Sequence, residues 1–177
     1  MKKLSMDELN RLSTDEYKHS EKMPVVVVLD NIRSQHNTGS VFRTADAFRV
    51  ESVYLCGITA TPPHREIQKT ALGATESVKW SYSGHAANAV RGLKDRDYRI
   101  LVVEQTDASI SLARFVPEPG QQYAVVFGNE VKGVQQEIVD MADECIEIPQ
   151  MGTKHSLNVS VSAGIVLWTL FKNMKWD

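Results

Sequence analysis

Residues 25–29 read Val-Val-Val-Val-Leu, an unbroken apolar and mostly β-branched run that predicts a strand covered on both faces. Comparable runs recur at 52–56, 77–80, 99–104, 123–127 and 145–148. Stretches of helical character at 38–48, 65–71, 85–96, 135–142 and 157–173 alternate with them. The alternation predicts an α/β fold: a mostly parallel sheet flanked by helices, with ligands held beyond the carboxyl ends of the strands. Ahead of the first strand, Ser5-x-x-Glu8 and Ser13-x-x-Glu16 are capping-box patterns and predict a short helical arm over 1–23, ended by Pro24. The remainder, 24–177, is expected to be one domain, with Pro62-Pro63 and the Pro-Glu-Pro-Gly stretch at 117–120 as loops inside it.

Composition narrows the function classes. The 177 residues are 42% hydrophobic, and 20 Lys and Arg against 22 Asp and Glu leave a formal charge of −2. No global basic field exists to attract nucleic acid, so an RNA or DNA partner would need a local cluster of cations. Cys56 and Cys145 lack CxxC spacing and sit in apolar contexts, which reads as buried thiols in a reducing compartment, without a disulfide or a metal site. Met1-Lys2-Lys3 is followed by Asp7, Glu8 and Asn10 rather than an apolar stretch, so no secretion signal is expected. The most apolar segment, 157–171, is shorter than the roughly 20 residues of a membrane span, and a cytoplasmic location is expected.

Three segments that follow predicted strands hold polar residues beyond what packing requires. In the first, 30–45, Asn37 and Arg43 lie on a helix entered from a polar loop, and an arginine there can grip a phosphate or a carboxylate bidentately. The same Asn37 can instead be read as a helix cap and Arg43 as a solvated surface cation. In the second, 125–134, Gly128 and Gly133 bracket Asn129 and Glu130. Val134-Gln135 stands where a phosphate-binding P-loop needs Lys and then Ser or Thr, so a nucleoside-triphosphate site is disfavoured. The glycines allow close backbone approach to a ligand, or a plain helix-entry turn. In the third, 148–163, Ser156, Asn158, Ser160 and Ser162 fall at the start of a helix expected to be buried, where each unsatisfied polar group would cost roughly 1–3 kcal/mol. His155 beside Ser156 is no catalytic pair, because sequence neighbours point apart.

Taken together, Asn37-x-Gly39-Ser40-x-x-Arg43-x-Ala45, Phe127-Gly128-Asn129-Glu130-x-x-Gly133 and Ile148-Pro149-x-Met151-x5-Leu157-Asn158-Val159-Ser160 resemble, in order, the three motifs of the SpoU/TrmH family of RNA ribose 2′-O-methyltransferases in the SPOUT superfamily. Lys69-Thr70-Ala71-Leu72-Gly73-Ala74 is similar to a further family stretch, and the resemblance covers residues 24–173. It implies a SPOUT methyltransferase domain with a C-terminal deep trefoil knot, which rules of chain topology would not have raised. It also implies S-adenosylmethionine as cofactor, held around Gly128, Gly133, Ile148, Met151 and Leu157, with a wall from Glu104–Thr106.

The family assigns the central catalytic role to the arginine matching Arg43, and Asn37, Glu130, Ser156 and Asn158 match its other polar positions. The implied activity is methyl transfer to a ribose 2′-hydroxyl of RNA, with transfer RNA slightly ahead of ribosomal RNA, by a homodimer built on the knot region. Arg33, His36, Arg43, Lys132 and Lys154 are candidate RNA contacts. Arg49, His64, Arg65 and Lys69 could extend the patch. The alternatives are a SPOUT-like RNA-binding dimer without catalysis and a doubly wound dinucleotide domain, the latter disfavoured because GxGxxG is missing after the first strand.

Overall fold

A computed structural model describes residues 1–5 and 7–174. Seven strands, β1 (Met23–Asp30), β2 (Val50–Cys56), β3 (Trp80–Ser83), β4 (Arg99–Val103), β5 (Ile110–Ser111), β6 (Tyr123–Phe127) and β7 (Glu144–Glu147), form one sheet in the order β3-β2-β1-β6-β4-β7-β5. Every pairing is parallel. The first three strands run outward to one edge and the other four fill the other half. A crevice therefore opens outside the carboxyl ends of the central strands, where the chain changes side.

Among the described residues, seven α-helices, α1 (Thr14–His19), α2 (Gln35–Ala47), α3 (Arg65–Ala71), α4 (Ala74–Ser77), α5 (Ala86–Lys94), α6 (Gln136–Val139) and α7 (Val159–Asn173), cover the two faces. The period-2 geometry of a strand divides β1 between them. Val25, Val27 and Leu29 join Phe42, Leu167 and Leu170 in one buried cluster, while Val26 and Val28 join Val90, Leu93 and Ile138 in the other. This is why β1 reads as a continuous apolar run.

Several boundaries differ from the sequence reading. Pro24 lies inside β1, where the register with β2 shifts between Met23 and Val26, and α1 has already stopped at Ser20. A proline is tolerated at that irregular strand start because it has no N–H to place in the ladder. The Ser13 capping box forms as expected. Its helix is not a free arm, however, since Tyr17 is buried in the main core. The run at 77–80 divides: Ser77 closes α4, bonding to the Ala74 carbonyl and the Asp46 carboxylate, and the strand begins at Trp80 opposite Val53. α6 is a single turn. Cys56 is buried and its thiol is pushed up to about 12, by burial first and by the nearby Asp30 second, whereas Cys145 is only half-buried.

Candidate active site

The loops leaving β4, β6 and β7, together with residues 155–159, enclose a cavity of about 950 Å³ at the carboxyl ends of the central strands. Glu104, Gly128, Gly133, Ile148 and Leu157 all line it. Met151 does not. It is 99% exposed in the segment that crosses from β7 to α7 and is not among the lining residues, contrary to the expectation for it.

The glycine loop after β6 folds back on itself. Asn129 and Gly133 exchange backbone hydrogen bonds at 3.0 and 2.9 Å, and the Asn129 side-chain oxygen accepts the N–H groups of Val131 and Lys132, both at 3.0 Å. A side chain at Gly128 would place its Cβ 2.2 Å from the Gly133 carbonyl carbon, and Gly133 itself has φ +69°. The loop is held to β4 by Glu104, whose carboxylate accepts the Val134 and Gln105 N–H groups at 3.0 Å each.

Three of the polar residues expected at the site meet at the cavity edge. Glu130 accepts the backbone N–H groups of Arg33 and Ser34 at 2.9 Å each and the Asn37 amide at 3.0 Å. The Asn158 amide donates in turn to the Asn37 side-chain oxygen at 3.1 Å, while its own oxygen caps α7 by accepting from Ser160. Asn37 is therefore not the cap of α2. Ser34 is, accepting the Asn37 N–H at 3.2 Å. Partial desolvation opposes ionisation of Glu130, yet the donors of Arg33, Ser34 and Asn37 outweigh it and hold the carboxyl below the usual carboxylate range. Glu130 is an anion at neutral pH, with its oxygens committed to the loop it anchors.

Ser156 and Asn158 are exposed rather than buried, so the desolvation cost expected for this segment does not arise. Both face the cavity instead. Arg43 sits in the middle of α2, exposed, outside the cavity lining and without a hydrogen bond or ion pair among the described residues. It is thus not brought onto the Asn37, Glu130 and Asn158 cluster of its own chain.

The expected basic residues divide. Lys132 lines the cavity, and Lys154 and Arg33 are exposed near it. His36 and Lys69 converge on Glu66 at 2.8 and 2.7 Å, and Arg65 is 4.0 Å from it, so that part of the patch is partly neutralised. His64 is used to cap α3. Arg49 lies at the opposite end of the sheet, its carbonyl receiving the Met23 N–H at the start of β1, and cannot share a surface with the others. The similarity noted around Lys69–Ala74 has a packing basis: a Cβ on Gly39 of α2 would lie 2.3 Å from the Ile67 carbonyl of α3, so the two helices approach at backbone contact.

The cavity suits a cationic ligand with a flat apolar part. Phe127, Ile146, Ile148 and Leu157 give apolar walls, and Glu104, Asp107 and Glu147 outnumber the single Lys132. S-Adenosylmethionine, with its sulfonium, its ammonium and its adenine, has that character. No group of three or more His, Cys, Asp or Glu side chains placed to hold a metal occurs among the described residues, and no helix there is long and apolar enough to cross a membrane.

Sequence reasoning gave no role to Asp30, Asn31 or Gln135, which join the motif residue Asn129 in one set of bonds beside the cavity. The available signal was a polar Asp-Asn pair ending a strand that is otherwise entirely apolar.

The family model described as SpoU rRNA Methylase matches residues 24–168. The 23S rRNA (guanosine-2′-O-)-methyltransferase RlmB of Neisseria meningitidis serogroup B is 33% identical over 144 residues, which are 81% of this chain and 56% of that protein. Among solved structures, the TrmH/SpoU tRNA modifying enzyme of A. aeolicus superposes with a TM-score of 0.79 at 26% identity, covering 90% of this chain and 79% of that one. An AdoMet-bound rRNA methyltransferase from Sinorhizobium meliloti superposes at 0.78 with 23% identity, covering 92% and 61%. The chain spans about six tenths of the length of the curated relatives it matches.

Proposed function

The chain belongs to the SpoU rRNA methylase family, whose members use S-adenosylmethionine, and on that premise we propose that it methylates a ribose 2′-hydroxyl of RNA. The observation that carries the reading is the Asn37, Glu130 and Asn158 cluster, three motif residues from distant parts of the chain joined at the edge of one cavity. Transfer RNA is the substrate class we favour. The A. aeolicus tRNA modifying enzyme is matched over 79% of its length, whereas the ribosomal RNA methyltransferase is matched over 56%.

The bound cofactor supplies a methyl group on a sulfonium, and Gly128, Gly133, Ile148 and Leu157 would hold it through backbone approach and apolar contact. Transfer would be an in-line displacement in which the methyl carbon leaves sulfur as it bonds to the ribose oxygen and the hydroxyl proton passes to water, so positioning of the hydroxyl would supply much of the rate. Arg43 grips a phosphate of the RNA and polarises the hydroxyl; a guanidinium does not give up its proton in a protein and cannot be the base. Glu130 is no base either, because its lone pairs are engaged by Arg33, Ser34 and Asn37. Its work is to hold the β1 and β6 loops in one arrangement.

Two features complete the proposal. Segment 155–158 lies between the exit of β4 and the start of α2, its His155 carbonyl accepting from the Gln105 amide at 3.1 Å and Asn158 reaching Asn37, which supports a C-terminal trefoil knot around the cofactor. Arg43 is exposed and outside the lining of its own cavity, which supports a dimer in which it serves the partner's. The test is incubation with deuterated-methyl S-adenosylmethionine and unmodified tRNA and rRNA transcripts, followed by nucleoside mass spectrometry. Label on a ribose oxygen, lost in Arg43→Ala, is the expected result. The absence of both cofactor binding and label would overturn it.

A further inference from the structure

We infer that Asn31, at the exit of β1 and outside the cavity lining, is a positioning residue that sets the shape of the cofactor-facing loop 128–135. The inference rests on the proposed cofactor site. Asn31 adopts φ +56°, the left-handed conformation, which turns its carbonyl toward the β6 loop. That carbonyl accepts the Asn129 amide at 2.7 Å, and Asn129 in turn nucleates the turn through Val131 and Lys132.

The side chain of Asn31 reaches the other end of the same loop. Its Nδ2 donates at 2.7 Å to Asp30, which is fully buried. The Asp30 carboxylate also accepts the Gln135 side-chain amide at 2.7 Å and the Gln135 backbone N–H at 3.1 Å. One residue therefore touches both ends of the loop, directly at Asn129 and through Asp30 at Gln135. A buried carboxylate without a cation is retained only where its oxygens are all engaged, as here.

A third anchor fixes Asn31 itself. Its Oδ1 accepts the Ile58 N–H at 3.1 Å, and a Cβ on Gly57 would lie 2.1 Å from that oxygen. Gly57 belongs to the exit of β2, on the side of β1 away from the cavity. A change there should reach the cofactor loop through Asn31.

The test uses Asn31→Gly, which keeps the left-handed backbone and removes the side chain, together with Gln135→Ala. Hydrogen exchange of the cofactor-free chain should show loop 129–135 exchanging roughly tenfold faster in each variant, with protection of β1, β4 and β6 kept. The affinity for S-adenosylmethionine by calorimetry should fall roughly fivefold to tenfold in each, with a combined effect smaller than the sum because both act through Asp30. At saturating cofactor, kcat should change less than KM for the cofactor. Unchanged exchange in 129–135 would overturn the inference. So would unchanged cofactor affinity in variants that fold. A wild-type chain that binds no cofactor would instead overturn the proposed function, while the exchange result still decides the role of Asn31.

Discussion

The Asn37 amide donates to Glu130 at 3.0 Å across 93 positions of the chain. This bond makes the start of α2 and the loop after β6 one rigid object, reinforced where Arg33 and Ser34 donate to the same carboxylate. The exit of β1, the start of α2 and, through Asn37, the N-cap of α7 are all tied to this carboxylate. The site is best understood as a set of loops held in place by polar bonds at the end of an apolar sheet.

Glu130→Gln tests that view. The amide that replaces one oxygen would turn an N–H toward donors already present, so a bond to the backbone or to Asn37 is lost and a donor is left without a partner. Charge-assisted bonds of this kind contribute roughly 1.5–3 kcal/mol, which corresponds to a loss of about tenfold to a hundredfold in cofactor affinity or turnover. Calorimetry and methylation assays would show it; wild-type values for both would exclude an anchoring role.

The same carboxylate sets a pH dependence. Its folded-state pKa lies below the ordinary 4.5, so the anchoring contribution is complete above that value and is lost as pH falls through the lowered folded value. Amide resonances of Arg33 and Ser34 should therefore stay constant from neutral pH down past 5 and move only in stronger acid. A titration of these amides between pH 6 and 7 would contradict the assignment.

Much of this arrangement could be read in the sequence, and the limits have physical causes. The strands were legible because β1 and β6 are buried on both faces and use little except Val, Ala, Leu, Tyr and Phe. β5 was not, since two residues carry no period. Arg65–Ala71 was legible to the residue, whereas the extent of α6 depended on where Asp143 must meet the Ile100 N–H. Glu130 and Asn37 stood out as polar residues at strand exits, but no spacing rule joins positions 93 apart. Asp30 and Asn31 escaped notice because they look like the ordinary polar end of a strand. Met151 misled because exposure is decided by the path of an irregular segment.

Arg43 separates catalysis from stability. It is exposed and bonds to nothing among the described residues, so Arg43→Ala should change folding stability by no more than about 0.5 kcal/mol. Cofactor binding should also be retained while RNA methylation falls at least roughly tenfold. Arg43→Lys should remain impaired because an ammonium cannot form two parallel bonds to a phosphate. Near-normal turnover in the lysine variant would remove the bidentate role.

Gly128 should tolerate nothing larger. The added Cβ of Gly128→Ala would lie 2.2 Å from both the Gly133 carbonyl carbon and the Val134 nitrogen, backbone atoms of the loop it belongs to. Overpacking of this kind costs about 1–3 kcal/mol and would open the turn that faces the cavity. Thermal unfolding and cofactor binding should both weaken. Gly84→Ala is the control, with no atom within 4 Å of its added Cβ, and should leave both unchanged.

Trp168 tests the proposed dimer. It is 52% exposed on α7, one heptad from the half-exposed Val161, so the two share a helix face. The indole is already held in place, stacked on Phe171 at 5.9 Å and against Phe48 at 6.0 Å, and a hollow lined by Leu112, Pro149 and Ile165 opens beside it. A rigid aromatic next to an apolar hollow loses little side-chain entropy on association and gains the full burial of its ring. Sedimentation should show a dimer for the wild-type chain and a monomer for Trp168→Glu, because burying an unpaired carboxylate in that contact is strongly unfavourable. If Arg43 serves the partner's cavity, the monomeric variant loses methylation while each chain still binds cofactor. A wild-type chain that sediments as a monomer yet methylates RNA would place Arg43 and the cavity in one subunit and remove the dimer from the mechanism.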